Sequence, residues 1–192
     1  MYVKNISYLM EYEINSYTMA IIPIKVGNNL CSRVLEAEGE CVVLMKPIDI
    51  VDRSCRFFGS SLKGRQEGTR EIMGVTHKAP IIIEASNQIF FFPTSSPSKP
   101  QCAWLSHTYI LDCTYEEHDW TNIIFTNKKS IQLQISQGSF KNQLHRTAQL
   151  RTIVSSRMEK KEKRFQFVLS PQEQQIAEEG HILEITKKET TR

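Results

Sequence analysis

Two stretches of the sequence hold side chains whose types and spacing could do chemistry. The first, "DRSCRFFGSSLKGRQEGTRE" from Asp52 to Glu71, alternates cationic side chains with small residues around two phenylalanines. A nucleotide-phosphate loop needs Gly, four residues, Gly, then Lys and a hydroxyl residue, because the lysine reaches the outer phosphates and the hydroxyl holds magnesium. Gly59 and Gly64 have that spacing, but Arg65 and Gln66 follow them, so the metal-holding hydroxyl is missing. What the stretch does offer is a polyanion contact. Lys63, Arg65 and Arg70 stand among Ser60, Ser61, Gly64 and Gly68, whose small size lets cationic heads and backbone N–H groups come close to a phosphate. Solvated loop charges are the plainer alternative. Just upstream, Asp49 with Arg53 and Asp52 with Arg56 are i,i+4 pairs of the kind that stabilise an exposed helix by roughly 0.2–0.5 kcal/mol each.

The second stretch is "SFKNQLHRTAQLRTIVSSRMEKKEKR", Ser139 to Arg164. At about 100° per residue, Phe140, Leu144, Thr147, Val154 and Met158 share one helical face, the expected core stripe. Asn142, Arg146, Gln149, Arg157 and Lys160 gather on another. Amides and guanidinium groups in one row can bond base edges and phosphates together, although an ordinary polar helix face has the same composition. Arg151 falls at an angle within the apolar stripe, where a guanidinium needs a partner or a route to solvent. A structural ion pair with Asp49 or Asp52, joining this helix to the earlier one, is the expectation.

The remaining reactive side chains point away from catalysis. His77, His107, His118, His145 and His181 show no metal-ligand spacing, and Ser54 and Ser106 lack the Gly-x-Ser-x-Gly elbow. No catalytic residue, metal site or cofactor is expected. Five cysteines, odd in number and free of any Cys-x-x-Cys pair, read as reduced, mostly buried thiols of a cytoplasmic protein. Trp104 and the Phe90 to Phe92 run read as core.

The formal charge of +3 hides a segregation. Residues 46–78 carry seven basic and four acidic side chains, and residues 141–164 carry eight and two, while residues 79–140 carry three and five. Two cationic blocks between acidic ones are what a polyanion-binding surface requires.

The elements that must position these blocks follow from local pattern. "EYEIN", "TMAIIPI", "SRVLEA" and "CVVLM" are short β-prone runs separated by turn residues. Pro47 opens a helix that Gly59 ends, and residues 47–73 form one helical insertion. Strands resume with "PIIIE", "QIFFFPT", "CAWLSHTYILDC", "NIIFT" and "SIQLQI", and a helix follows from about Phe140 to Lys160, punctuated by Gly138 and Ser139. The fold class is α+β, with short antiparallel strands and hairpins, one helical insertion and a helical C-terminal third. Residues 1–165 are expected to form a single α+β domain, and 166–192 a C-terminal tail or regulatory segment.

Taken together, "MKPIDIVDRSCRFFGSSLKGRQEGT", "SNQIFFFPTSSPSKPQCAWLSH" and "SFKNQLHRTAQLRT" resemble the ComK family of competence transcription factors of bacilli. The resemblance implies a DNA-binding activator of genes for DNA uptake. Such a protein recognises paired A+T-rich boxes mainly through the minor groove, as a dimer and a pair of dimers, and is cytoplasmic and nucleoid-associated. It also implies control by a MecA-type adaptor and a Clp protease through "FVLSP", where Phe167, Leu169 and Pro171 keep the pattern, whereas Ser170 replaces an aromatic and Gln172 a basic residue. Two other function classes use the same residues. An RNA-binding or protein-interaction module would employ the basic helix, and a nucleotide-binding enzyme the Gly59 to Gly64 loop.

Overall fold

The computed structural model describes the backbone of residues 7–169 and the side chains of residues 7–161. In chain order the elements are β1 (Ser7–Leu9), β2 (Thr18–Val26), β3 (Asn29–Glu36), β4 (Glu40–Val43), α1 (Pro47–Phe57), α2 (Leu62–Met73), β5 (Ile81–Glu84), β6 (Ile89–Pro93) and β7 (Trp104–Ser106). A 3-10 turn over His107–Tyr109 leads to β8 (Ile110–Glu116), β9 (Trp120–Phe125), β10 (Ser130–Gln134) and α3 (Gln137–Leu169). The chain divides after Ile153 into two units. The first holds both sheets, α1, α2 and the opening turns of α3; the second begins at Val154 within α3.

The larger sheet has seven strands in the order β1-β4-β3-β2-β7-β6-β5, and the smaller has three in the order β10-β9-β8. Strands of the large sheet carry apolar residues at consecutive positions, which the two-residue period sends to opposite faces. Ile21, Val34, Phe91 and Trp104 enter one core cluster, with Ile50, Val51 and Cys55 of α1 and Leu62 of α2. Their neighbours Ala20, Leu35, Phe92 and Leu105 enter a second cluster, with Cys113, Ile123 and Phe125 of the small sheet and Phe140 of α3. A sheet apolar on both faces must be covered on both. The result is three layers, with α1 and α2 on one side and the small sheet with the start of α3 on the other. All five cysteines are free and buried, and Trp104 and Phe90 to Phe92 are core.

The architecture is α+β as the pattern implied, with four local differences. The helical insertion is two helices: Gly59 (φ 73°) ends the first turn of the corner, and Ser61 caps α2 by accepting the Gly64 N–H at 3.1 Å. "EYEIN" is not a strand. Side chains fasten it instead: Arg53 donates to Glu13 (2.7 Å) and Glu11 (2.7 Å), Ser54 accepts the Ile14 N–H (2.8 Å), and the Tyr12 hydroxyl bonds Thr18 and Glu36. "CAWLSHTYILDC" is broken by the 3-10 turn, so its halves belong to different sheets. Finally, β1 pairs with β4 in parallel, an exception among otherwise antiparallel pairs.

α3 starts earlier than expected because Ser136, not Ser139, does the capping: its carbonyl accepts the Phe140 N–H at 3.0 Å and its hydroxyl the Ser139 N–H at 3.4 Å. One turn on, the buried Gln143 amide donates to the carbonyls of Lys78 (2.8 Å) and Pro93 (2.9 Å). Replacing Gln143 with Met keeps the bulk but strips a buried carbonyl of its donor, at a cost of roughly 1–3 kcal/mol. Denaturant unfolding checks this: the midpoint falls while the m-value stays unchanged.

Candidate nucleic-acid interface

The corner between α1 and α2 is built around one carboxylate. Asp52 Oδ2 accepts the Arg56 Nε–H at 2.7 Å, and Oδ1 accepts the backbone N–H of Leu62, the first residue of α2, at 2.8 Å. Those two donors, Arg56 first, hold the Asp52 carboxyl below the ordinary carboxylate range. The expected Asp52–Arg56 pair is therefore present, and it also fixes where α2 begins. Asp49, by contrast, does not engage Arg53, whose guanidinium is taken by Glu11 and Glu13.

Past Gly59 the expected helical insertion continues as a separate helix capped by Ser61, which decides what its cations do. Lys63 is 85% exposed, with only Glu67 at 3.9 Å, and Arg70 lies two turns further on, also exposed. Arg65 turns inward. Its Nη2 donates to the carbonyls of Phe58 (3.1 Å) and Ile83 (3.2 Å), and its Nε is buried without a partner. It staples the corner to β5, so its guanidinium is not presented as a free phosphate contact. Thr69 makes a second staple, donating to the Pro80 carbonyl at 2.7 Å.

Residues 78–80 join the two cationic helices. α2 bonds Pro80 through Thr69, and α3 bonds Lys78 through Gln143, so both helices are fastened to the segment that leads into the β5 edge of the large sheet. Arg70 and Lys78 are exposed, and on α3 the exposed Asn142 and Gln149 stand on either side of a half-buried Arg146 in the sequence. Arg157 and Lys160 are exposed on the second unit. Exposed Lys78 and Lys141 escaped the sequence reading; the charge tally counted them, but neither fell on the expected polar face.

Arg151 corrects another expectation. It makes no ion pair with Asp49 or Asp52; its Nε donates to Gln88 Oε1 at 3.0 Å, tying α3 to the turn between β5 and β6. The physical reason is the layering: α1 covers the opposite face of the large sheet from the start of α3. Phe167 and Leu169 have side chains outside the described residues, and Pro171 lies outside them altogether.

The β8–β9 hairpin is acidic. Asp112, Glu117 and Asp119 are exposed there, and no lysine or arginine occurs between Lys99 and Lys128.

A mixed three-layer domain with a clamped cationic helical corner is the class these features define. The ComK protein family model matches residues 9–159, and the chain belongs to that family. It is 46% identical over 167 residues to the competence transcription factor of Bacillus subtilis strain 168, covering 86% of this chain and 87% of that protein. No solved structure matches. Among the described residues no helix is long and apolar enough to cross a membrane.

One ionisable group here couples stability to pH. His107 Nδ1 is buried without a partner, and burial, then the Arg151 charge, depress its pKa from the ordinary 6.5. A depressed histidine favours the fold when neutral, so its contribution is complete above 6.5 and is lost as pH falls through the folded value. Thermal melts between pH 7.5 and pH 5 are expected to show an acid-side decline that His107→Gln flattens.

Proposed function

We propose that this chain is a competence transcription activator that grips A+T-rich double-stranded DNA with Lys63 and Arg70 of α2 and with Asn142, Arg146, Gln149, Arg157 and Lys160 of α3. The observation that carries the reading is the division of labour on α2. Arg65 and Thr69 lock one side of the helix to the sheet, leaving Lys63 and Arg70 exposed on a rigid support. Family membership and the Bacillus subtilis relative, a competence transcription factor, favour DNA over RNA as the polyanion.

The finer reading is minor-groove recognition of paired A-run and T-run boxes by a dimer or a pair of dimers. A-tracts have a narrow minor groove with enhanced negative potential, which draws arginine and lysine even where base edges carry little information. α2 suits such a role better than a major-groove recognition helix, since it offers separated cations with Gly64 and Gly68 between them. Control by a MecA-type adaptor and a Clp protease belongs to the same reading and rests on the "FVLSP" resemblance.

Duplex binding should weaken steeply as salt rises, by about 0.9 in the logarithmic slope for each phosphate neutralised. Lys63→Glu, Arg70→Glu and Arg157→Glu should each weaken binding and flatten that slope by about one contact. Arg65→Ala should instead lower the unfolding midpoint and leave the slope intact in protein that remains folded. Fluorescence anisotropy titrations across a salt series read both outcomes. A salt-independent affinity, or full binding by the Lys63→Glu, Arg70→Glu double variant, would defeat the proposal.

A further inference from the structure

Phe57 stands apart from the other phenylalanines. Among the described residues, Phe90, Phe91, Phe92, Phe125 and Phe140 are fully buried and Phe58 is half-buried, whereas Phe57 is 70% exposed. A lone apolar side chain on a surface is common and means nothing by itself. The mounting of this one is what matters. Phe57 is the last residue of α1, at the apex of the corner, and its ring meets Phe58 edge-on with centroids 5.1 Å apart and planes at 84°. Phe58 in turn packs against the core cluster, and its carbonyl is held by Arg65. The backbone behind the apex is tied by the Phe58, Gly59 and Ser60 N–H groups, which donate to Ser54, Arg56 and Cys55.

Cations bracket it. Arg56 is 70% exposed; Asp52 takes only its Nε–H, which leaves the outer guanidinium edge to solvent. Beyond the corner, Asp52 fixes the first N–H of α2, whose opening turn carries the exposed Lys63. A rigid aromatic tip between two cationic arms is the arrangement that side-chain wedges use: the arms hold phosphates while the ring parts two stacked base pairs. A+T-rich DNA supplies the step that parts most easily, since TA steps stack weakly and kink readily.

We infer that Phe57 is an intercalating wedge that enters the duplex at a TA step, with Arg56 and Lys63 holding the phosphates beside it. This rests on the DNA-binding reading above and adds to it a residue that senses how easily a step deforms. A ring inserted between bases releases no counterions, whereas each cation that neutralises a phosphate does. The two kinds of contact are therefore separable by salt.

The test uses the full chain and A+T-rich duplexes in which 2-aminopurine replaces adenine at successive TA steps, so that unstacking brightens the probe. Wild-type protein is expected to brighten one step. Phe57→Ala should abolish that signal and weaken binding about tenfold or more at every salt concentration, with the salt slope unchanged. Phe57→Leu should restore much of both, and a thermal melt of each variant confirms that it is folded. Equal brightening and affinity in Phe57→Ala would overturn the inference. So would a loss of affinity accompanied by a flatter salt slope, which would make the corner a phosphate contact only, or an intact DNA complex with an altered oligomeric state, which would assign the ring to a second copy of the chain. Absence of salt-dependent binding by the wild type would sink the DNA-binding reading itself, a result distinct from all of these.

Discussion

The structure depends on a sheet that cannot leave either face in water. Phe91 and Phe92, Trp104 and Leu105, and Val34 and Leu35 are consecutive pairs that point to opposite sides of the seven-stranded sheet, and each is fully or almost fully buried. Burying one such side chain is worth about 1.5–3 kcal/mol, so exposing a row of them on either face would exceed the net stability of an ordinary domain. Two covering layers are obligatory. The chain meets the demand with α1 and α2 on one face, and with the β8–β10 sheet and the opening of α3 on the other.

Covering the sheet in this way also decides where charge goes. α1 and α2 bury Ile50, Val51, Cys55 and Leu62 and must turn Arg56, Lys63 and Arg70 outward. The small sheet buries Cys113, Ile123 and Phe125 and turns out Asp112, Glu117 and Asp119. The first basic block thus lies across the large sheet from the acidic hairpin, while the opening of α3 shares the hairpin's layer. The polar clamps serve the same end. Asp52 fixes the angle of the corner, Arg65 and Thr69 pin α2, and Gln143 and Arg151 pin α3. A groove reader gains from such rigidity, since side chains held in place lose less entropy on binding.

Much of this was legible in the residues, for identifiable reasons. Consecutive β-prone runs announced the sheet, Pro47 and Gly59 bracketed α1, and the 3.6-residue rhythm after Phe140 announced α3. Family resemblance, carried by strings such as "RSCRFFGSS", reached the ComK family that the comparisons support. The failures are equally physical. Gly64 and Gly68 obscured α2 as a separate helix because helix propensity penalises glycine, and the Ser61 cap with two staples outweighs that local preference. Arg151 and Arg53 have partners distant in sequence, Gln88 at 63 residues and Glu13 at 40, which spacing along one helix cannot reveal. Gln143 sat beside the expected core stripe without belonging to it, since an amide registers as polar until its two carbonyl partners are known. Arg65 was indistinguishable from Lys63 in sequence, and only the fold turns one inward and the other out.

The central claim is that the cationic helices, not the acidic hairpin, form the DNA-binding face. Hydrogen exchange of the full chain with and without an A+T-rich duplex reads this directly, peptide by peptide. Slowed exchange is predicted across the α1–α2 corner from Arg56 to Arg70 and along α3 from Asn142 to Lys160, with the β8–β9 hairpin unchanged. Protection confined to that hairpin, or none at the corner, would contradict the account.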